Sequence, residues 1–303
     1  MITESNKVAV VTGANAGLGF QTAIKLARLG MTVVMACRSM DKAKKAQSEL
    51  LAEVPDANAI VLPLDVSEPN SIREFVRLFA EQVGRLDLLV NNAGIVGIPL
   101  ARNSVGQEMQ LATNYLGTFA LTGLLLPYFR EGSPGRIVNV GSLANRFGKL
   151  NLDDMNWEKT PYNEWQGYAR SKVATLSFTT ELNRRLRASG SHIIALGAHP
   201  GFAATDILRH TEAAKKKSAF SKWKEKQQRK LIPTPAKASE SIVHAAVAED
   251  VQGGDYYGPR GFFEIAGKTG KARVNPIAKN PDIGKRLWTL SEAMTGVKFL
   301  SEL

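Results

Sequence analysis

The chain has 303 residues, of which 44% are hydrophobic and 22% charged. These proportions suit a soluble folded protein and exclude an intrinsically disordered class. Its net charge is +11, and Cys37, the only cysteine, excludes an intrachain disulfide or a cysteine metal cluster and points to a reducing cytoplasm. No apolar run is long enough to cross a bilayer, since the most apolar stretch, Gly117 to Phe129, is short and holds Pro127. The N-terminal residues lead almost at once into a strand, which leaves no room for a signal peptide. Without a Pro/Gly/Ser-rich linker, residues 1–303 read as a single domain.

Lys7 to Thr12 reads as a buried parallel strand, followed by a glycine-spaced turn and an amphipathic helix from Leu18 to Leu29. The alternation then repeats. Thr32 to Cys37 is a strand, Asp41 to Glu53 a helix, Ala59 to Leu64 a strand and Ser71 to Val83 a helix. Leu86 to Val90 is a strand, Ala112 to Phe129 a helix, Arg136 to Gly141 a strand and Glu164 to Ala188 a long helix. His192 to Ala198 forms a sixth strand, and Ala238 to Val247 a further helix. Such a sequence predicts an α/β fold, a doubly wound parallel sheet with helices on both faces.

Two regions break the rhythm: a segment at about 202–235, and a Gly/Pro-dotted tail within about 253–303. Insertions after the carboxyl end of a strand lie over the ligand crevice in such sheets, so the first reads as a substrate flap. Between Glu212 and Lys230, eight basic residues face two acidic ones. The stretch from Lys215 to Lys230 is compatible with an anionic membrane surface or an acidic partner, and equally with a solvated surface helix. Nucleic acid is not the expected partner, and a homo-oligomer stays open. Phe220 and Trp223 within the stretch keep a membrane-contact or substrate-lid role in view.

Gly13, Gly17 and Gly19 sit in the turn Thr12-Gly13-Ala14-Asn15-Ala16-Gly17-Leu18-Gly19. A tight strand-to-helix turn free of Cβ atoms lets a pyrophosphate reach backbone N–H groups at a helix N-terminus. Ala16 supplies no hydroxyl to such a phosphate, which puts cofactor affinity in question. About 20 residues further on, an NAD site usually ends its second strand with a carboxylate. Here the residues are Cys37-Arg38-Ser39. The Arg38 guanidinium suits a 2′-phosphate by bidentate bonds, so NADP(H) is favoured, with NAD(H) use left open.

Tyr168 and Lys172 are four residues apart on the predicted 164–188 helix, with Arg170 and Ser171 between them. That spacing puts both side chains on one face, where an ammonium can stabilise a phenolate and lower its pKa. Of six tyrosines, only Tyr168 has lysine four positions on. With lysine this common the pair alone is a weak signal, and its weight comes from the other motifs around it.

Taken in order, the glycine turn, Asp65-Val66, Asn91-Asn92-Ala93-Gly94, Asn114, Ser142, Tyr168 with Lys172, and Pro200-Gly201 through Thr205 resemble the short-chain dehydrogenase/reductase family over nearly the whole chain. The resemblance implies a Rossmann-type fold and hydride transfer between a nicotinamide and a carbonyl/alcohol pair. Tyr168 would be the general acid/base. Lys172 would hold the nicotinamide ribose and favour the tyrosinate, and Ser142 would hydrogen-bond the substrate oxygen. Asn114 would anchor a water linking Lys172 to solvent. Asp65 and Val66 would meet the adenine, Asn91, Ala93 and Gly94 would pack on the adenosine side, and Thr205 would reach the pyrophosphate or nicotinamide amide. Gly13, Asn15, Gly17, Leu18, Gly19, Arg38, Ser39, Pro200 and Gly201 complete the cofactor set.

The enlarged segment Asn151 to Glu158, His199-Pro200-Gly201, and Gly253 to Pro259 are similar to the retinol dehydrogenase-like branch, which also resembles the WW-domain oxidoreductases. The branch implies an apolar substrate: a long-chain aldehyde, or a retinoid-like or steroid-like compound. Phe202, Phe220, Trp223, Leu231 and Ile232 agree with it. The competing reading is a non-catalytic NADP(H)-binding sensor or scaffold, which would have no need of the Asn/Ser/Tyr/Lys set. His199, beside Pro200, is read as structural.

Overall fold

Val8–Thr12 forms β1 and is buried at all five positions. The sequence Val-Ala-Val-Val-Thr does not alternate with polar residues because helices cover both faces of the sheet here. The structure, a computed structural model, describes residues 6–202 and 233–301. Thr32–Cys37 (β2), Ala59–Pro63 (β3), Leu88–Asn91 (β4), Gly135–Val140 (β5) and Ile193–Ala198 (β6) follow the expected strands to within one or two residues. Tyr256–Pro259 (β7) and Thr269–Lys271 (β8) extend the sheet.

The strand order is β3-β2-β1-β4-β5-β6-β7-β8. Every pairing through β7 is parallel, and β8 runs antiparallel to β7. From β1 the order goes one way to β2 and the other to β4, so the topological switch point, where such sheets bind ligands, lies at the carboxyl ends of β1 and β4.

The helices are Gly17–Arg28 (α1), Met40–Glu53 (α2), Pro69–Gln82 (α3), Met109–Leu111 (α4), Gly117–Leu125 (α5), Glu164–Ala188 (α6), Pro235–Ala238 (α7), Glu240–Val247 (α8) and Pro281–Thr295 (α9). Successive β1 side chains serve opposite cores. Val8 and Val10 pack with Phe75 and Phe79 of α3, Phe119 of α5 and Phe178 of α6. Ala9 and Val11 pack with Ile24 and Leu26 of α1, Leu50 of α2 and Ile242 of α8.

Three expectations are corrected. The helix expected over Ala112 to Phe129 begins earlier, at α4, where the Glu108 carboxylate accepts the Gln110 and Leu111 N–H groups. A π-helical segment, Ala112–Leu116, interrupts it, and Pro127 restricts its end to the 3-10 turn Leu126–Tyr128. The helix expected at Ala238 is two short pieces, α7 and α8, the first capped by the Thr234 hydroxyl with Pro235 at its start.

The tail is not irregular throughout. It adds β7, β8 and α9, the last opened by an Asn280 cap with Pro281 behind it and closed by Gly296 at φ 69°. Trp288 of α9 meets Phe119 at 5.1 Å and Phe299 at 4.7 Å between ring centroids. This aromatic cluster fastens the C-terminal helix over α5 and α6.

Candidate active site

At the carboxyl end of β1, Gly13 (φ 66°) and Gly17 (φ 56°) adopt left-handed backbone that side chains disfavour. A Cβ on Gly19 would lie 2.4 Å from the Gly13 carbonyl oxygen, so this third position is glycine for space rather than conformation. Ala16, the N-cap of α1, makes no side-chain bond to the helix, and the first turn holds no acidic residue. Asn15 and Leu18 belong to this turn, Leu18 turned into the core. The result is a cradle without Cβ atoms at an open, positively polarised helix end, which fits a pyrophosphate.

Beside the cradle, Thr12 does work that its sequence position did not reveal. Its hydroxyl accepts the N–H groups of Asn92 and Ala93, both at 2.9 Å, and its carbonyl accepts from Asn92 Nδ2 at 2.8 Å. Asn91 is buried in a polar ladder, donating to Asn139 Oδ1 at 2.9 Å and Thr122 Oγ1 at 3.1 Å. Ala93 and Gly94 follow it at the crevice.

Beyond β2, the Arg38 side chain is 77% exposed and lies 3.6 Å from one Asp65 oxygen. The other Asp65 oxygen accepts from the Ser67 N–H and hydroxyl. One Asp65 oxygen is thereby held in its own turn, while the other pairs with the largely exposed Arg38 guanidinium at the crevice rim. Ser39 is the N-cap position of α2 and makes no capping bond through its side chain. Val66 is buried under α5, where a Cβ on Gly117 would strike its carbonyl oxygen.

Asn114, Ser142, Tyr168 and Lys172 converge. Asn114 sits, buried, inside the π segment. Its Oδ1 accepts the Ile95 N–H at 2.8 Å, and its Nδ2 donates to the Ile95 carbonyl and the Ser171 hydroxyl, both at 2.9 Å. A Cβ on Gly94 would lie 3.0 Å from Asn114 Oδ1 and 3.6 Å from Lys172 Nζ, so this glycine separates the two groups. Ser142 follows β5 and caps a 3-10 turn, Leu143–Phe147, by accepting the Ala144 N–H at 3.2 Å.

The charge states differ from the expectation. Lys172 is buried, and its Nζ donates to the Val140 carbonyl at 2.8 Å while standing 5.9 Å from the Tyr168 ring centroid. The spacing on α6 does bring both residues to one face, but the lysine reaches for the end of β5 instead of the phenol oxygen. Desolvation pushes the Tyr168 pKa above its ordinary value, opposed by a hydrogen bond with Ser142. Desolvation also lowers Lys172 to about 8. In the chain alone, burial therefore outweighs any lowering of the phenol pKa by a cation held at that distance.

Pro200 and Gly201 (φ 72°) lie beyond β6, and the Gly201 N–H donates to His199 Nδ1 at 3.1 Å. Thr205, the substrate flap beyond Phe202, and the Lys215 to Lys230 stretch with Phe220, Trp223, Leu231 and Ile232 lie outside the described residues. Tyr256 went unnoticed as a site residue. It is a buried phenol on β7 whose hydroxyl donates to the Ser142 carbonyl at 3.3 Å. Its only sequence signal was the likeness of Gly253 to Pro259 to one branch.

Residues 7–216 match the sequence model described as short chain dehydrogenase, and the chain belongs to that family. It is 37% identical to human retinol dehydrogenase 13 over 98% of this chain and 86% of that protein. Identity to human retinol dehydrogenase 11 is 35%, over 96% of this chain and 86% of that protein. A crystal structure of an uncharacterized protein from Mycobacterium paratuberculosis superposes with a TM-score of 0.79 at 37% identity, covering 97% of this chain and 95% of its own. A Pseudomonas aeruginosa RhlG/NADP complex shares the fold, with a TM-score of 0.65 at 23% identity over 84% of this chain and 95% of its own. The chain is thus an oxidoreductase of retinol dehydrogenase-like type that acts on CH–OH and C=O groups with a nicotinamide cofactor.

Proposed function

We propose that the protein, as one domain, interconverts an apolar carbonyl and its alcohol with NADP(H), Tyr168 being the general acid/base. One observation carries this reading: the buried Tyr168 phenol is paired with Ser142, and the buried Lys172 ammonium lies 5.9 Å from the Tyr168 ring, beside Gly94 and Asn114, at the carboxyl edge of the sheet. When bound, the cofactor supplies or takes the hydride. Gly13, Gly17 and the open end of α1 hold its pyrophosphate, and Arg38 recognises a 2′-phosphate through charge-assisted bonds. Ser142 holds the substrate oxygen, Tyr168 gives or takes the proton there, and Lys172 holds the cofactor ribose.

An apolar substrate, long-chain, retinoid-like or steroid-like, is supported by the relatives and by exposed rings at Phe147 (74%), Phe262 (82%) and Phe263 (68%). These neighbour in sequence Arg146 and Glu264, whose ion pair lies one turn from Ser142. Among the described residues no helix is long and apolar enough to cross a membrane.

A panel of aliphatic, retinoid and steroid carbonyls, run with NADPH and NADH side by side, tests the proposal. Turnover of apolar members with NADPH preferred is expected. Cofactor binding without turnover of any member would overturn it. Tyr168→Phe should abolish turnover, a loss of about 10²–10⁴-fold, with cofactor binding kept.

A further inference from the structure

A second buried phenol stands against the proposed reacting groups. Tyr256 on β7 is 4% exposed, and the sheet is cut away to admit it. A Cβ on Gly141 would lie 2.5 Å from its hydroxyl, and one on Gly197 would lie 2.8 Å from its ring. The hydroxyl donates to the Ser142 carbonyl at 3.3 Å and is close enough to feel the charge of Tyr168. The same carbonyl accepts from Asn145 Nδ2 at 2.6 Å, so the Ser142 turn is held from both sides.

What holds Tyr256 is charged and strained. The His199 ring lies on it, with centroids 5.0 Å apart and 34° between planes. His199 Nδ1 accepts the Gly201 N–H, which assigns the remaining proton to Nε2, 3.3 Å from Glu264 Oε2. A Cβ on Gly258 would fall 1.9 Å from that nitrogen, so only glycine admits the imidazole. Glu264 pairs in turn with Arg146, on the 3-10 turn that Ser142 begins, and accepts the Arg273 N–H at 3.1 Å. Phe263 (φ 48°) and Glu264 (φ 59°) both occupy left-handed backbone, a conformation that persists only where surroundings impose it. The imposed geometry turns the Glu264 carboxylate inward onto His199 and Arg146.

We propose that Tyr256 is a positioning residue of the active site, fixing the Ser142 turn and thereby the contact between Ser142 and Tyr168, and that the His199–Glu264–Arg146 group locks Tyr256 in place. The inference rests on Ser142 and Tyr168 being the reacting pair. A tyrosine at this position gives the turn a donor that phenylalanine, filling the same volume, would not. Loss of that donor loosens Ser142, weakens its hydrogen bond to Tyr168, and leaves the phenol harder to ionise.

Tyr256→Phe tests this without emptying the core. The ionisation of Tyr168 is read as the ultraviolet tyrosinate titration of each protein minus that of its Tyr168→Phe counterpart, a measurement that needs no substrate. The Tyr168 midpoint should rise by about 0.5–1 pH unit in the Tyr256→Phe background, corresponding to about a three- to tenfold smaller tyrosinate fraction below it. With NADP+ and retinol or decanol as probes, kcat should fall by a like factor while KM and cofactor affinity stay within about twofold. Glu264→Gln, which keeps the volume and removes the charge, should move the midpoint in the same direction by less. An unmoved midpoint in both variants overturns the proposal, as does a fall in thermal stability with no change in midpoint. Activity retained by Tyr168→Phe alone would instead overturn the reading of the site itself.

Discussion

Burying an ammonium has a cost that Lys172→Met should expose. Lys172 has its pKa lowered by desolvation from 10.5 to about 8. At about 1.4 kcal/mol per unit, carrying that charge near neutral pH costs folding about 3 kcal/mol. The sign follows from proton counts. Between about pH 8 and 10.5 the unfolded lysine binds more proton than the folded one, so the native enzyme gains stability as pH rises through this window. Methionine keeps the volume and drops the charge, but leaves the Val140 carbonyl, now 2.8 Å from Nζ, without that donor. An unmet buried acceptor costs about 1–3 kcal/mol. The variant should therefore be inactive yet no more than marginally less stable than the native enzyme near neutral pH. Toward about pH 10 the native enzyme should gain roughly 2 kcal/mol on it. Denaturant titrations of both proteins at the two pH values measure the gap. A gap that stays constant with pH would refute the assignment of a desolvated, charged lysine.

Arg38→Ala should weaken NADPH binding by about 10–100-fold, the worth of one or two charge-assisted bonds, and leave NADH nearly untouched; paired fluorescence titrations measure the ratio. Gly19→Ala places a Cβ 2.4 Å from a backbone oxygen, so a loss of about 1–3 kcal/mol and weaker cofactor binding are expected by thermal melting and titration. Asp154 is pushed up by desolvation but held below its ordinary pKa by the Thr160 hydroxyl and three backbone N–H groups, those of Glu158, Lys159 and Thr160. Asp154→Asn should cost about 1–3 kcal/mol near neutral pH. Because the folded pKa is depressed, that advantage is present above the unfolded carboxylate pKa and vanishes as pH falls through the folded one, which acid titration of stability checks. Alcohol oxidation, which needs the Tyr168 phenolate, should climb with pH through the raised phenol pKa, whereas carbonyl reduction should not.

The central sheet was legible because its signal is local. Val8–Thr12 and Thr32–Cys37 are continuous apolar runs bounded by glycine or charge, and two-sided burial leaves such strands little else to be. The placement of Ser142, Tyr168 and Lys172 was legible because α6 is one unbroken helix and Ser142 comes two residues after β5. β7 was not, since four residues ending in proline carry no period, and its pairing depends on a partner some 60 residues earlier in the chain. Nor was the segment Asn151 to Tyr162 readable from composition. It is organised by Arg170, whose guanidinium donates to the Asp154 carbonyl and lies 3.7 Å above the Trp157 ring, and by Asp154 capping the following turn. These are tertiary contacts with no sequence period. Spacing gives Tyr168 and Lys172 a shared face, but the direction of the long lysine side chain depends on which carbonyl it finds, here that of Val140.

Burial moves the two groups of the Tyr168 and Lys172 pair toward each other, the phenol pKa up and the ammonium pKa down to about 8. Near neutral pH this keeps the tyrosine in its proton-bearing form, the form a carbonyl reduction consumes. A lysine with a pKa near 8 stays mostly charged there while lying within about one unit of releasing its proton. Asn114 Oδ1 and Lys172 Nζ both flank Gly94, and the Val140 carbonyl fixes the position of the buried ammonium. A site arranged this way is set to give a proton before it takes one. With the phenol pKa raised, forming the phenolate that alcohol oxidation would need calls for higher pH or a further positive charge beside the phenol.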